Sequence, residues 1–303
     1  MVRQAGFPTG RSRSTQAERA LAFRKMHEGP GLLLLPNAWD VASAKLYELE
    51  GFRAVGTTSA GIASTLGFPD GERMGLDDNL GVCRRIVAHV AIPVSVDVEA
   101  GYSGCLDGLS ETIARVIEAG AVGVNLEDGA KAGCGGSAPG ALLEPSAQAD
   151  RIAAARQAAD RAGVPLVINA RTDVFLAHGA VSEDRLREAI DRGNTYRSAG
   201  ADCVFVPDMD DLGEAEIAAL ARGIGAPLNL IAGERTPSVP RLEALGVARL
   251  SFGPRPMRAA LHFLRAMARE WLATGTYSRL HSGESLSYDE VNAWFTPGDS
   301  RVT

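Results

Sequence analysis

The chain has 303 residues, 46% hydrophobic and 22% charged, which excludes a disordered or fibrous protein. With 37 acidic against 31 basic side chains the formal charge is −6, so no net positive field exists to hold a nucleic-acid backbone or an anionic membrane surface. The apolar run 32–35 is far short of the roughly 20 residues that cross a bilayer, and the Arg-bearing segment before it lacks the apolar stretch of a secretory signal.

The expectation is a cytoplasmic protein that acts on a small molecule, with no nucleic-acid or membrane partner. Cys83, Cys105, Cys134 and Cys203 form no CxxC pair, which disfavours a disulfide framework and a structural zinc site. The five histidines show neither HxxxH nor HxH spacing, so a His-rich metal site has little support. A hard, oxygen-seeking cation stays open.

In chain order, short apolar runs predict strands at 32–36, 54–59, 94–98, 123–126, 166–170, 203–206, 228–232 and 248–252. Between them amphipathic stretches predict helices at 42–50, 109–119, 148–162, 184–199, 214–221 and 257–273. Gly51, Gly120, Gly163, Gly200, Gly246 and Gly275 sit where helix stops prefer a left-handed residue. Continuous Val/Ile/Leu strands alternating with helices indicate a parallel sheet covered by helices, and eight such units predict an α/β fold, the (β/α)8 TIM barrel. The alternative, a doubly wound open sheet, lacks its GxGxxG turn after an early strand. One barrel domain is expected over 1–275, with a short N-terminal arm to about Gln16. A tail over 276–303 carries Trp294 and Phe295, which need a surface on the barrel or on a neighbouring subunit.

A barrel places its chemistry at the C-terminal strand ends. There the sequence offers Trp39, Thr58 and Ser59, Asp97 and Glu99, Glu127, Arg171 and Asn229. Asp97 and Glu99 stand two apart, so an extended strand points both into one volume, and Glu127 ends the next strand. Three carboxylates without His or Cys favour Mg²⁺, with Mn²⁺ as the alternative, over a role as simple capping acids. Arg171 at the barrel mouth matches a carboxylate or phosphate, or a structural ion pair with Asp173 or Glu127. Ser59-Ala60-Gly61 offers a hydroxyl and approachable N–H groups, an anion-holding nest by type. The three lysines, Lys25, Lys45 and Lys131, avoid the strand ends, which disfavours a Schiff-base aldolase.

The runs Pro-Asn-Ala-Trp-Asp (36–40), Thr-Thr-Ser-Ala-Gly (57–61), Leu-Gly-Phe-Pro-Asp (66–70), Asp-Val-Glu-Ala-Gly-Tyr (97–102), Gly-Val-Asn-Leu-Glu-Asp (123–128) and Asn-Ala-Arg-Thr-Asp (169–173) follow in order. Together they resemble the isocitrate lyase/phosphoenolpyruvate mutase superfamily. The resemblance implies a barrel whose eighth helix is exchanged between subunits of a homodimer or homotetramer. It implies Mg²⁺ on Asp97, with Asp70, Glu99 and Glu127 acting largely through its waters. It also implies a substrate carboxylate on Ser59-Ala60-Gly61 and Arg171, with Trp39, Thr58 and Asn229 beside it.

Three departures bear on the reaction. After the fourth barrel strand the mobile loop of isocitrate and methylisocitrate lyases has Lys-Lys/Arg-Cys-Gly-His; here Cys134-Gly135 is followed by Gly136. Ala232 stands where those lyases tend to have Glu, and Thr57 where an aromatic residue is usual. A housekeeping lyase of either kind is therefore disfavoured. The expected activity is a Mg²⁺-dependent carbon–carbon lyase, or a related decarboxylase, acting on a small 2-hydroxy or 2-oxo carboxylate through an enolate. Glu127 and Arg171 would serve catalysis and Cys134 would shuttle the proton. The alternatives are a phosphorus–carbon mutase or hydrolase and a catalytically silent carboxylate-binding barrel.

Overall fold

The computed structural model describes residues 14–129, 141–178, 181–208, 211–281 and 285–296. Among these residues nine strands, all parallel, form one sheet: β1 (Leu33–Leu35), β2 (Asn37–Ala38), β3 (Val55–Thr57), β4 (Val94–Asp97), β5 (Gly123–Glu127), β6 (Val167–Arg171), β7 (Cys203–Phe205), β8 (Leu228–Ile231) and β9 (Arg249–Ser251). The expected first strand, 32–36, is β1, and a second short piece, β2, follows it beyond Pro36. Pro36 has no N–H to continue the ladder, so β1 pairs with β9 on one side of it and β2 with β3 on the other. The two pieces act as one stave and bring the ends of the sheet together as a (β/α)8-type barrel.

Helices cover this barrel: α1 (Gln16–Glu28), α2 (Val41–Leu49), α3 (Ser59–Leu66), α4 (Leu76–His89), α5 (Leu106–Glu118), α6 (Pro145–Arg161), α7 (Val174–His178), α8 (Glu183–Ser198), α9 (Glu214–Gly223), α10 (Val239–Ala244), α11 (Arg255–Thr274) and α12 (Tyr288–Ala293). All six glycines expected to stop helices have positive φ, from 66° to 113°. None of these helices is long and apolar enough to cross a membrane.

The apolar face of α5 buries Leu109, Ile113, Val116 and Ile117 at helical spacing, which explains its packing against the sheet. Helix α1 begins with a Thr15/Glu18 capping box and buries Ala20, Phe23 and His27. It closes the N-terminal end of the barrel: Gln16 donates to the carbonyls of Ile117 and Ala121, just before β5. With that end plugged, the C-terminal mouth is the open end of the barrel.

The tail returns to the barrel. Glu270 of α11 accepts from the backbone N–H groups of Ser278 and Arg279. The Phe295 ring lies edge-on to His89 at 6.4 Å between centroids.

Candidate active site

Asp97, the last residue of β4, is buried, and each carboxylate oxygen has a donor. The hydroxyl and backbone N–H of Ser59 donate to Oδ2 at 2.8 and 3.1 Å, and the Glu99 N–H donates to Oδ1 at 3.3 Å. Ser59 is the first residue of α3. Thr58 caps this helix, its Oγ1 accepting from the Gly61 N–H at 3.3 Å. A Cβ on Gly61 would meet Thr58 Cγ2 at 2.6 Å and Trp39 Cβ at 3.0 Å, so only glycine lets the helix start here. The Ser59 donors expected to hold a substrate anion are thus aimed at Asp97.

The strand rule that puts Asp97 and Glu99 on one face does not extend through Glu99. β4 ends at Asp97, and Glu99 adopts φ of 50° in the left-handed region, as do Glu72 at 57° and Tyr102 at 56°. Such residues cost about 1–3 kcal/mol each and persist only where their surroundings hold them. Here they hold one another: the Glu72 N–H donates to Glu99 Oε2 and the Tyr102 N–H to Glu72 Oε1, both at 2.8 Å. The two carboxylates still sense each other. Burial, then the charges of Asp97, Glu127 and Asp70, push Glu99 up to about 8. Burial, then Glu127, also raises Asp97, against the pull of Arg171 and Ser59.

Across β5, Arg171 ends β6 in register with Glu127. Its Nε and Nη2 clasp the two oxygens of Asp173 at 2.5 and 3.0 Å, while Nη1 reaches Glu127 Oε2 at 2.9 Å. The guanidinium also lies 5.8 Å from the centroid of the Phe205 ring. Burial alone would weaken its charge, but Asp173 and Glu127 outweigh that and hold it more firmly protonated than an ordinary arginine. The expected structural ion pair is present, and among the described residues an N–H remains on each terminal nitrogen. Behind it the buried Asp128 accepts from the Asp173 N–H at 2.8 Å and from Tyr196 Oη at 2.6 Å, which fixes the β6–α7 turn.

A cavity of about 240 Å³ opens between these two sides. Thr58, Ser59, Ala60, Asp70, Asp97 and Arg171 line it. Glu99 and Glu127 are buried beside them, and Trp39 packs against Gly61. Asn229 is fully buried and donates to Ser251 Oγ at 3.3 Å. Cys134 lies outside the described residues; the strand-like bridge Gly129–Leu142 joins the ends of its segment. Sequence reasoning missed Asn125, Phe205, Arg255 and Arg258, which also line the cavity. For Asn125 a signal existed: it stands two before Glu127 in β5, hence on the same face.

Among the described residues no three His, Cys, Asp or Glu side chains are placed to cage a metal ion. The donor set instead fits Mg²⁺ in its water-rich mode, held through one or two carboxylates. Asp97 Oδ1 has lone-pair capacity beyond its long bond to the Glu99 N–H, and acids that raise one another's proton affinity are those a divalent cation would relieve.

A family profile described as Phosphoenolpyruvate phosphomutase matches residues 23–272. The chain is 35% identical over 250 residues to an uncharacterized protein of Mycobacterium tuberculosis, covering 82% of this chain and 88% of that one. It is 30% identical over 255 residues to 2-methylisocitrate lyase of Bacillus subtilis, covering 82% and 79%. A solved Burkholderia cenocepacia structure assigned as a lyase or mutase superposes with a TM-score of 0.83 at 36% identity, covering 94% of this chain and 98% of that one. The profile spans most of the barrel, and the strand-end motifs lie within it. The chain belongs to the phosphoenolpyruvate mutase/isocitrate lyase superfamily of enzymes.

Proposed function

We propose that the protein is a Mg²⁺-dependent carbon–carbon lyase, or a closely related decarboxylase, that releases the enolate of a small 2-oxo acid from a 2-hydroxy or 2-oxo carboxylate. The observation that carries this reading is that Asp97 and Arg171 line one small cavity, with Arg171 paired at 2.9 Å to the buried Glu127. Bond cleavage next to a carbonyl leaves negative charge on oxygen, and a site that lowers the barrier must receive that charge as it develops. Mg²⁺, when bound, supplies a Lewis acid for that oxygen.

The chain's own residues do the rest. Asp97, held by Ser59, would bind the cation, and Asp70, Glu99 and Glu127 would orient its waters. Arg171, anchored by Asp173, offers its remaining N–H groups to the substrate carboxylate. Ala60 and Thr58 close one wall. Cys134, in its glycine-bearing segment, is assigned to move the proton at the carbon released by cleavage. A cavity of about 240 Å³ is in keeping with a small acid as the substrate.

The same cradle would accept a phosphonopyruvate-like substrate, a second reading favoured by the description of the matching profile. A panel of 2-hydroxy and 2-oxo acids with phosphonopyruvate, assayed with Mg²⁺ for oxo acids, CO₂ and phosphate, separates the readings. A second oxo acid marks the lyase, and pyruvate with CO₂ from oxaloacetate marks the decarboxylase. Turnover of phosphonopyruvate alone supports phosphorus–carbon chemistry. Tight oxalate binding without any turnover would leave a silent barrel.

We also propose that α11 is exchanged between subunits of a homodimer or homotetramer. The helix buries only Met257 and Met267 among its described residues, while Leu261, Leu264 and Trp271 are exposed and Leu272 is 91% exposed. Light scattering that reports a monomer would overturn this.

A further inference from the structure

Inside the barrel lies a second buried guanidinium, outside the Arg171 ion pairs, that feels the charge of Asp97 without touching it. Arg249, in β9, is fully buried and has no carboxylate partner among the described residues. Its Nη1 is 3.5 Å from His27 Nε2, its Nη2 is 3.3 Å from Asn125 Oδ1, and its Nε has no hydrogen-bond partner. A buried cation with so few hydrogen-bond partners costs the fold stability.

Those contacts lead to the cavity. Asn125 on β5 is in register with Asp97 on one side and Asn169 on the other. A guanidinium carries donors and no acceptor, so the Asn125 atom facing it has to be the amide oxygen. The same oxygen accepts from Asn169 Nδ2 at 2.8 Å. Two donors therefore fix the amide, and its Nδ2 is turned away from both. The half-buried side chain lines the mouth cavity with Asp97 and Arg171, and no described residue accepts from Nδ2.

We propose that Asn125 is a substrate-binding residue whose amide N–H, aimed by Arg249 and Asn169, donates to an anionic oxygen of the bound 2-oxo acid beside Asp97. The inference rests on the enolate-lyase reading. Arg249 is a positioning residue here: its charge fixes the amide flip and polarises it, so Nδ2–H becomes a stronger donor. A donor held ready in a small cavity needs no rearrangement when negative charge develops on the ligand. The arrangement also discriminates, because a ligand that presents an N–H there would face another donor.

Calorimetric titration of oxalate in the presence of Mg²⁺ tests this with the wild-type protein, Asn125→Ala, Asn125→Asp, Arg249→Lys and the Ala/Lys double variant. Thermal melting of each runs alongside. Asn125→Ala weakens oxalate binding by about ten- to a hundredfold, the effect of losing one hydrogen bond to a charged group. Asn125→Asp keeps an acceptor for Arg249 and Asn169, and so keeps the fold, but weakens binding further because it presents an anion to an anion. Arg249→Lys weakens binding in the wild-type background and has no further effect once Asn125 is alanine.

Unchanged affinity in folded Asn125→Asp overturns the proposal. An equal Arg249→Lys effect in both backgrounds overturns the assignment of Arg249. If the wild-type protein itself does not bind oxalate, the enolate-lyase reading fails and this inference falls with it; tight wild-type binding with unaltered variants removes the inference alone.

Discussion

Replacing Arg171 by Met removes the cation that contacts both Asp173 and Glu127. The methionine fills much of the space but leaves two carboxylates, 13% and 4% exposed, facing each other and Asp97 without that guanidinium. Breaking a buried pair from one side costs about 3–5 kcal/mol, of the order of half the stability of an ordinary domain. The loss depends on pH in a defined direction. Burial raises the Asp173 carboxyl above its usual value, and the attraction of Arg171 restrains that rise. A folded-state pKa above the unfolded one contributes stability that is complete below the unfolded value, near 3.9, and is lost as pH rises through the folded value. Without Arg171 the folded value climbs further, so the variant loses more at neutral pH and little in acid.

Urea unfolding of both proteins near pH 7.5 and near pH 5 measures this. The gap between them should be several kcal/mol at the higher pH and about half that or less at the lower. A gap under about 1 kcal/mol, or one that does not change with pH, would mean that Arg171 is not what holds these acids together.

His27 gives a second pH test. Burial, then the positive charge of Arg249, lowers its pKa from 6.5 to about 3, so its contribution to stability is complete above about pH 6.5 and is lost as pH falls from there to about 3. Across that window His27 by itself removes about 1.4 kcal/mol for each step of one in pH, against the opposite slope of the raised Asp173 and Glu99 carboxyls, so the stability difference between wild type and His27→Gln should change by that amount per step; parallel profiles would refute it. Gly61→Ala should destabilise by roughly 1–3 kcal/mol and weaken Mg²⁺-dependent oxalate binding, because its Cβ would lie 2.6 Å from Thr58 Cγ2 and displace Ser59 from Asp97. Calorimetry of a folded variant with wild-type affinity would contradict that. Cys134→Ser should lower kcat by about a hundredfold or more with oxalate affinity unchanged. Unaltered turnover removes Cys134 from the mechanism.

The barrel was legible because its signals are local. Apolar strands and glycine stops follow from burial and from the φ that a helix end requires, and both repeat along the chain. The break at Pro36 was also written in the sequence, as a residue without a donor at the end of the apolar run 32–35. The two sides of the site, Asp97 and Glu127–Arg171, followed from their places at strand ends.

What escaped the sequence depends on three-dimensional partners. Spacing put Glu99 on the face of Asp97, but the chain leaves the strand at that point and Glu72 holds Glu99 in a left-handed turn. Ser59 looked like a cradle for a substrate anion because nothing in the sequence says that Asp97, 38 positions away, takes its hydroxyl. Helix α1 was overlooked because only Ala20, Phe23 and His27 are buried in an otherwise polar segment. Arg249 reads as an ordinary strand residue until closure of the barrel places it against Asn125.

The most direct test is to soak crystals with Mn²⁺ and oxalate and locate the metal by its anomalous scattering. The mechanism predicts one site inside the mouth cavity, with an Asp97 carboxylate oxygen at about 2.0–2.2 Å and oxalate between the ion and Arg171. A peak elsewhere on the molecule, or none beside Asp97 while oxalate is bound, would contradict it.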